Sequence, residues 1–229
     1  MDDLFSPRGL SGRTLARSDL ASLAGGSPQV VTDCDLEEAD LSGLDLTGWR
    51  FARCNLRKAD CSGTKLEGSL WQSCRAPFVS FVGANLSEAA FSGGDFNNSS
   101  WRRATLTSAK FAGTKLTGAD FAEARAMHIH FEEVLLVSAK LPGFSFRKET
   151  LRKVDLSGAD LRKGDFRMTV FEDCSLREAM VAGSRFEGSD LRGADLGGLR
   201  LVDANLFRGA TISREQAGQL LSELGLSVR

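Results

Sequence analysis

Leucine or phenylalanine recurs every five residues along most of this chain. Neither a helix, near 3.6 residues per turn, nor a strand, with its period of two, presents such a spacing to a core unaided. From Leu36 to Leu206 the frame has 35 positions, and 29 of them are Leu or Phe. Leu and Phe are about a fifth of the chain, so chance would place about seven there. The exceptions are Cys61, Trp71, Ala76, Trp101, Ala126 and Val181, none of them charged. Two residues earlier, 29 of 35 positions hold Ala, Cys, Ser, Thr, Gly or Val; the others are Leu44, Trp49, Ile129, Phe144, Glu149 and Leu199. The frame does not slip.

Each unit therefore turns one large and one small residue inward, with one outward residue between them, and Gly or Ser often follows as turn chemistry. A short extended segment and a corner, repeated, wind the backbone into a coil, and stacked coils pair their backbones about 4.8 Å apart. No unit buries its apolar face alone, which is the logic of a solenoid. The chain has 15 Phe and no Tyr, as expected of a ring column where a buried hydroxyl would need a partner. Cys34, Cys54, Cys74 and Cys174 fall in one column of small inward positions, spaced by whole multiples of four units. Four units per coil, a square section, would stack them directly. Free thiols acting as small core residues fit a cytoplasmic setting better than disulfides.

Units such as "ADLSG" (39–43), "ADFAE" (119–123), "VDLSG" (154–158), "ADLRK" (159–163) and "ADLGG" (194–198) resemble the pentapeptide-repeat family. The resemblance implies an all-β solenoid, a right-handed quadrilateral β-helix, over at least Cys34 to Gly209. The expected organisation is an N-terminal partial coil and loop (1–33), a repeat β-helix of nearly nine coils (34–210), and a C-terminal helix with a short strand (211–229). Phe5, Leu10, Leu15 and Leu20 keep a second, shifted frame, so residues 8–22 read as an incomplete first coil, joined through the loop "LAGGSPQ" (23–29).

The C-terminus abandons the period of five. Ser213 is a good N-cap, Gln216 completes a capping box, and Gly225 can end the helix. Ala217, Leu220, Leu221 and Leu224 fall on one helical face, and Leu226 and Val228 then alternate. With Ile212, these residues are the expected cap and homodimer interface. The stretch "QAGQLLSELGLSV" (216–228) after such repeats resembles the Qnr, MfpA and AlbG group. That resemblance implies a rod-shaped homodimer, joined through this helix, that binds DNA gyrase or topoisomerase IV. It would resemble duplex DNA and protect the enzyme from poisons such as quinolones or albicidin, as antibiotic resistance or producer self-resistance.

A DNA mimic needs acidic columns. The side centred on Leu36, Leu56 and their successors at every fourth unit is the candidate partner-binding acidic face, with Asp35, Glu37, Glu38, Asp95, Asp155, Glu178 and Asp195. It also carries Arg57, Lys58, Arg75, Lys115 and Arg177, and the chain's formal net charge is -1. Bulk charge thus draws the chain to neither nucleic acid nor membrane. No apolar run approaches the roughly 18 residues of a membrane span, and the acidic start lacks the design of a secretory signal. A cytoplasmic location, no membrane contact and no direct nucleic-acid binding are expected.

No P-loop, nucleophile elbow or Rossmann fingerprint is present. His128 and His130 are the only histidines, and both read as outward solenoid surface rather than metal ligands. Glu149, in an inward slot, is expected to escape to solvent where the coil bulges. A non-enzyme without cofactor, metal or small-molecule substrate is expected. The alternative reading is a structural or interaction solenoid, a scaffold or effector, with another protein partner.

Overall fold

Each five-residue unit folds as a short extended segment followed by a tight corner. The computed structural model describes residues 10–199, 204–223 and 225–227. Three corners of each coil share one signature, and the corner after each strand is a bend without its turn bond. The Ala39 N–H donates to the Leu36 carbonyl at 3.1 Å, and Glu38 between them has φ of 57°. A positive φ at the third residue of a four-residue turn is the mark of a type II turn. It recurs at every fifth position from Asp33 to Gly188, and most of those positions hold a residue other than glycine, Phe78 and Met168 among them. This backbone costs a side-chain-bearing residue about 1–2 kcal/mol. The stacking of coils holds it: the N–H of each corner residue donates onward, Glu38 to the Arg57 carbonyl at 2.9 Å and Lys153 to that of Glu172 at 2.8 Å.

The chain divides into two compact units, Met1–Lys115 with Glu123–His130, and Leu116–Ala122 with Phe131–Arg229. The first runs β1 (Leu10–Ser11), α1 (Arg17–Ala21), β2 (Val30–Thr32), β3 (Arg50–Ala52), β4 (Leu70–Gln72), β5 (Ala90–Ser92) and β6 (Lys110–Ala112). Its strands pair in chain order, all parallel. The division falls within β7 (His130–Glu132), and the second unit continues with β8 (Thr150–Arg152), β9 (Val170–Glu172), β10 (Cys174–Ser175) and β11 (Ala194–Asp195). A 3-10 turn at Ala204–Phe207 and helix α2 (Arg214–Glu223) follow. The architecture is an all-parallel β-solenoid of about nine turns.

Register confirms the four-unit coil. Phe51 pairs with Trp71, Trp71 with Phe91, and Leu151 with Phe171, each partner lying four units further along the chain. Single bridges keep the same step on the other three sides: Asp35 with Asn55, Asp40 with Asp60, Asp45 with Lys65. We call the sides centred on Leu36, Leu41, Leu46 and Phe51 the first to fourth; the strands lie on the fourth.

Inside the first unit the fourth-side column is a ring stack. Phe51 lies 4.3 Å from Trp71, Trp71 5.6 Å from Phe91, and Phe91 4.6 Å from Phe111, all near-parallel. The small inward slots do more than avoid crowding. Their thiols and hydroxyls donate to carbonyls of the preceding coil: Cys74 Sγ to Phe51 at 3.3 Å, Thr64 Oγ1 to Leu41 at 2.9 Å and, in the second unit, Ser184 Oγ to Leu161 at 2.7 Å. Where a Trp fills the large slot, a Ser in the small slot accepts its indole N–H, Ser69 from Trp71 at 2.9 Å and Ser99 from Trp101 at 2.6 Å. These bonds satisfy polar groups that burial would otherwise penalise.

Gly94 occupies a small slot with φ of 96°, and a Cβ there would stand 2.5 Å from the Cys74 carbonyl oxygen. Gly94→Ala therefore meets both backbone strain and a clash with backbone. It is expected to destabilise by at least about 2 kcal/mol in urea unfolding. A change below about 0.5 kcal/mol would mean that the coils are not packed this closely at that slot.

Three slots depart from the large-and-small rule while the backbone keeps its pattern. Glu149 points to solvent, as its charge requires. Phe144 is buried at 5% exposure in a nominally small slot, 5.9 Å from Phe121. Ala124 and Ala126 are half-buried, because two small residues leave their unit short of apolar volume. "QSCRAPFVSF" (72–81) keeps its register despite Ala76 and Pro77, both buried, and of its apolar residues only Phe78 turns outward.

The first coil differs from a plain repeat. Leu10 pairs with Val31, one position more than the four-unit step, so one extra residue accounts for the shifted frame. Leu10, Leu15 and Leu20 are buried, while Phe5 lies outside the described residues. "RSDLAS", which scans as a repeat, is instead the helical turn α1, and Asp19 Oδ2 accepts the Ala16 N–H at its start.

Candidate protein-binding surface

The period of five ends where a helix begins, and the capping box forms as its residues require. Ser213 N–H donates to Gln216 Oε1 at 2.7 Å, and Gln216 N–H to Ser213 Oγ at 3.1 Å. The same Gln216 fastens α2 to the last coils. Its Nε2 donates to the carbonyls of Leu191 at 2.7 Å and Ala194 at 2.6 Å. Glu223 at the far end accepts the Gly198 N–H at 3.0 Å. Gly225, with φ of 82°, closes the helix: its N–H donates to Ser222 and that of Leu226 to Leu221. That pair of bonds is a Schellman motif.

This fastening sorts the expected interface residues. Leu220 is buried at 8% exposure, on the side of Gln216. Ile212, Leu221 and Leu226 are exposed at 39%, 39% and 55%, and Ala217 is half-buried. Leu224 and Val228 lie outside the described residues. Leu226 and Ser227 belong to no strand. Gln216 is the residue whose larger role sequence reading missed. Its capping signal was visible, but its second pair of bonds reaches carbonyls a full coil back along the chain.

The seven acids of the candidate acidic face fall in separate groups. Asp35, Glu37 and Glu38 share one corner of the first unit, dressed by the next coil. Asn55 Nδ2 donates to Asp35 and Glu37, Arg57 pairs with Glu37 at 2.7 Å, and Lys58 with Glu38 at 2.8 Å. The Arg57 guanidinium, with the Asn55 amide, holds the Glu37 carboxyl below its ordinary range. Asp95 lies in register between Arg75 and Lys115. In the second unit, Asp155 accepts the Ser157 N–H, Asp195 pairs with Arg177 at 2.9 Å, and Glu178 is exposed. A continuous column of bare carboxylates does not result.

Opposite charges one coil apart are the rule on the other sides as well. Asp33 meets Arg53, Asp45 meets Lys65, Glu133 meets Lys153 and Glu172 meets Arg152. A second pattern stays within the unit. In Asp160-Leu161-Arg162, Asp165-Phe166-Arg167 and Asp190-Leu191-Arg192, the arginine folds back and clasps the aspartate with two N–H groups. Those clasps hold all three carboxyls below the usual range.

The five cysteines are buried and free, and burial pushes the Cys61 and Cys174 thiols up, so they stay protonated at neutral pH. Among the described residues, no group of three His, Cys, Asp or Glu is placed to hold a metal. No helix among them is long and apolar enough to cross a membrane.

Comparison with known proteins follows the repeat closely. Residues 44–121 match a pentapeptide repeat region, and residues 129–167 and 169–206 match pentapeptide repeats in eight copies. No curated protein matches the chain. Among solved structures, a trypsin-treated form of QnrB1, a plasmid-mediated fluoroquinolone resistance protein, is similar at 21% identity and a TM-score of 0.60. That likeness covers 96% of this chain and 97% of the other. HetL, a pentapeptide repeat protein involved in heterocyst differentiation regulation in the cyanobacterium Nostoc, is similar at 19% identity and a TM-score of 0.57, covering 85% and 89%. These likenesses carry the fold.

Proposed function

Because the chain belongs to the pentapeptide-repeat family, we propose that it is a non-enzymatic binding protein that engages DNA gyrase or topoisomerase IV as a rod-shaped homodimer. In this reading it protects the enzyme from topoisomerase poisons, as antibiotic resistance or producer self-resistance in the cytoplasm. One observation carries the reading: a helix fastened to the end of the repeats that still turns Leu221 to solvent, with Ile212 just before it and Leu226 just after it exposed as well. A helix that only capped the solenoid would hide its apolar residues against the coil. These three, with Ala217, Leu220, Leu224 and Val228, form the proposed dimer module. The resemblance to the Qnr, MfpA and AlbG group, in which a comparable helix joins two rods, supports the assignment.

The ion-paired sides favour mimicry by shape over mimicry by charge. Local groups such as Asp35, Glu37 and Glu38 would then be the points of acidic contact. The second reading, a scaffold or effector with another protein partner, draws on the same ion-paired sides, since the fold alone commits to no single partner.

The test is gyrase-mediated supercoiling with a quinolone present. Addition of the protein should lower the yield of cleavage complexes and restore supercoiling. By light scattering the chain should run at twice its 24.7 kDa. Leu221→Asp should run as a monomer, keep its thermal unfolding midpoint, and lose protection. Cleavage complexes that persist at every protein concentration would sink the topoisomerase reading, and a wild-type monomer would sink the dimer.

A further inference from the structure

Net charge conceals a segregation within the second unit. Between Ser145 and Gly188, the second and third sides carry six bases, Arg147, Lys148, Arg162, Lys163, Arg167 and Arg185, against three acids, Asp160, Asp165 and Glu187. Glu149 stands exposed at their edge. Over the same stretch the other two sides carry three bases against five acids, Glu149, Asp155, Glu172, Asp173 and Glu178.

Depth sharpens the contrast. Arg162 clasps Asp160 at 2.7 and 2.6 Å, Arg167 clasps Asp165 at 2.9 and 2.7 Å, and Arg185 reaches Asp165 from the next coil at 2.9 Å. The Arg162 side chain is 56% exposed over an Asp160 that is 9% exposed, and Arg185 is 50% exposed over an Asp165 at 14%. Solvent therefore meets guanidinium groups with their carboxylates beneath them. A guanidinium has five N–H donors in a rigid fork, and a two-point clasp uses two. The rest remain available for an oxyanion, on groups already immobilised. Arg147, Lys148 and Lys163 are exposed beside them.

We propose that these two sides of the second unit bind the phosphodiester backbone of a nucleic acid. Ser145, Asp165 and Arg185 stack in register on successive coils, about 4.8 Å apart, so bases on three coils face one short stretch of surface. Duplex DNA presents a charge per roughly 1.7 Å of axis and can meet several of them at once. Carboxylates on a protein surface seldom lie so densely. Among the described residues, the exposed large apolar side chains here are Met168 and Met180, with no exposed aromatic ring for base stacking. The contact is therefore to the backbone, without sequence preference. This departs from the expectation drawn from net charge alone, and it does not depend on the topoisomerase reading.

The experiment is fluorescence anisotropy of a labelled duplex of about 20 base pairs with the full chain and no topoisomerase, at about 50 mM salt and upward. Binding is expected, weakening with a log–log salt slope of about −3 if roughly three phosphates are neutralised. Arg147→Glu/Lys148→Glu/Lys163→Glu should weaken it at least about tenfold with an unchanged unfolding midpoint, since none of the three belongs to a clasp. Arg50→Glu, exposed in the first unit, should leave it within about twofold. Absence of binding at about 100 µM protein in low salt overturns the proposal. So does equal affinity in the triple variant, or polyglutamate or phosphatidylglycerol vesicles binding as tightly as the duplex.

Discussion

Phe91→Ala lowers the unfolding free energy by about 4 kcal/mol, the range for aromatic truncation in a packed core. Phe91 is 1% exposed and touches rings on every side: Trp71 at 5.6 Å, Phe96 at 5.2 Å, Trp101 at 5.3 Å and Phe111 at 4.6 Å. The vacancy cannot collapse, because each neighbouring ring is fixed by the backbone register of its own coil. Trp71 and Trp101 border the lost ring, so indole emission reports the site directly. For a chain of this size the loss corresponds to about 8–16 °C in the melting midpoint. Phe111→Ala, one coil on, should behave alike at about 3–5 kcal/mol. Leu70→Ala, on the outer surface at 38% exposure, should cost less than about 1 kcal/mol. Urea titration followed by Trp fluorescence checks all three. Similar small losses at Phe91 and Leu70 would remove the case for an inward ring column.

Gln216→Glu should destabilise the chain by about 3 kcal/mol at neutral pH, and the defect should shrink in acid. The amide nitrogen donates to two carbonyls at once, inside a site 8% exposed. A carboxylate there sets oxygen against oxygen, whereas a protonated carboxyl donates one bond. Burial against acceptors raises the folded-state pKa of the introduced group above its unfolded value of about 4.3. For a raised pKa, the favourable state is complete below the unfolded value and is lost as pH rises through the folded one. The gap in melting midpoint between variant and wild type should therefore widen from about pH 4 upward. Gln216→Ala should cost about 2 kcal/mol, from two unpaired carbonyls and the lost cap, with no such pH dependence. A gap for Gln216→Glu that stays constant from acid to neutral pH would show that the two-carbonyl cradle is absent.

What the sequence made legible divides along a physical line. The five-residue frame reports which side chains are inside, and burial depends mainly on that, so the column from Leu36 onward could be read directly. The four-unit coil was visible in the cysteines alone. The corners were half legible: Gly43 and Gly63 announce a positive φ, but Glu38, Arg53 and Phe78 do not. There the stacking of coils, a long-range effect, overrides local preference. The shifted N-terminal frame was readable, but the helical turn Arg17–Ala21 inside it was not. "RSDLAS" fits either pattern, and its Asp19 serves as a cap only once the turn exists. Ser69 and Ser99 looked merely small until their hydroxyls proved to accept the Trp71 and Trp101 indole protons.

The candidate surface was less legible than the fold. Counting charges by side found the acids but not their partners, because a count treats Asp160 and Arg162 as two equal points. In the structure one lies under the other. The Asp-x-Arg spacing was in plain view, but its meaning depends on both residues flanking an inward Leu or Phe and so projecting the same way. Asp160 and Arg162 do so about Leu161, as do Asp165 and Arg167 about Phe166.

The four-unit step between stacked partners also sets the grammar of insertions and deletions. Removing one whole coil, such as residues 55–74, brings Leu36 onto Ala76 and Cys54 onto Gly94 and leaves every later residue on its own side. Removing a single unit keeps the core filled but turns every later side by a quarter, so a patch assembled across coils is dismantled while the inward column stays apolar. Removing one residue breaks both. A chain of this kind can therefore change its length cheaply in whole coils and redistribute its outer chemistry in single units. Selection for stability alone would not distinguish the two, whereas selection for a surface would.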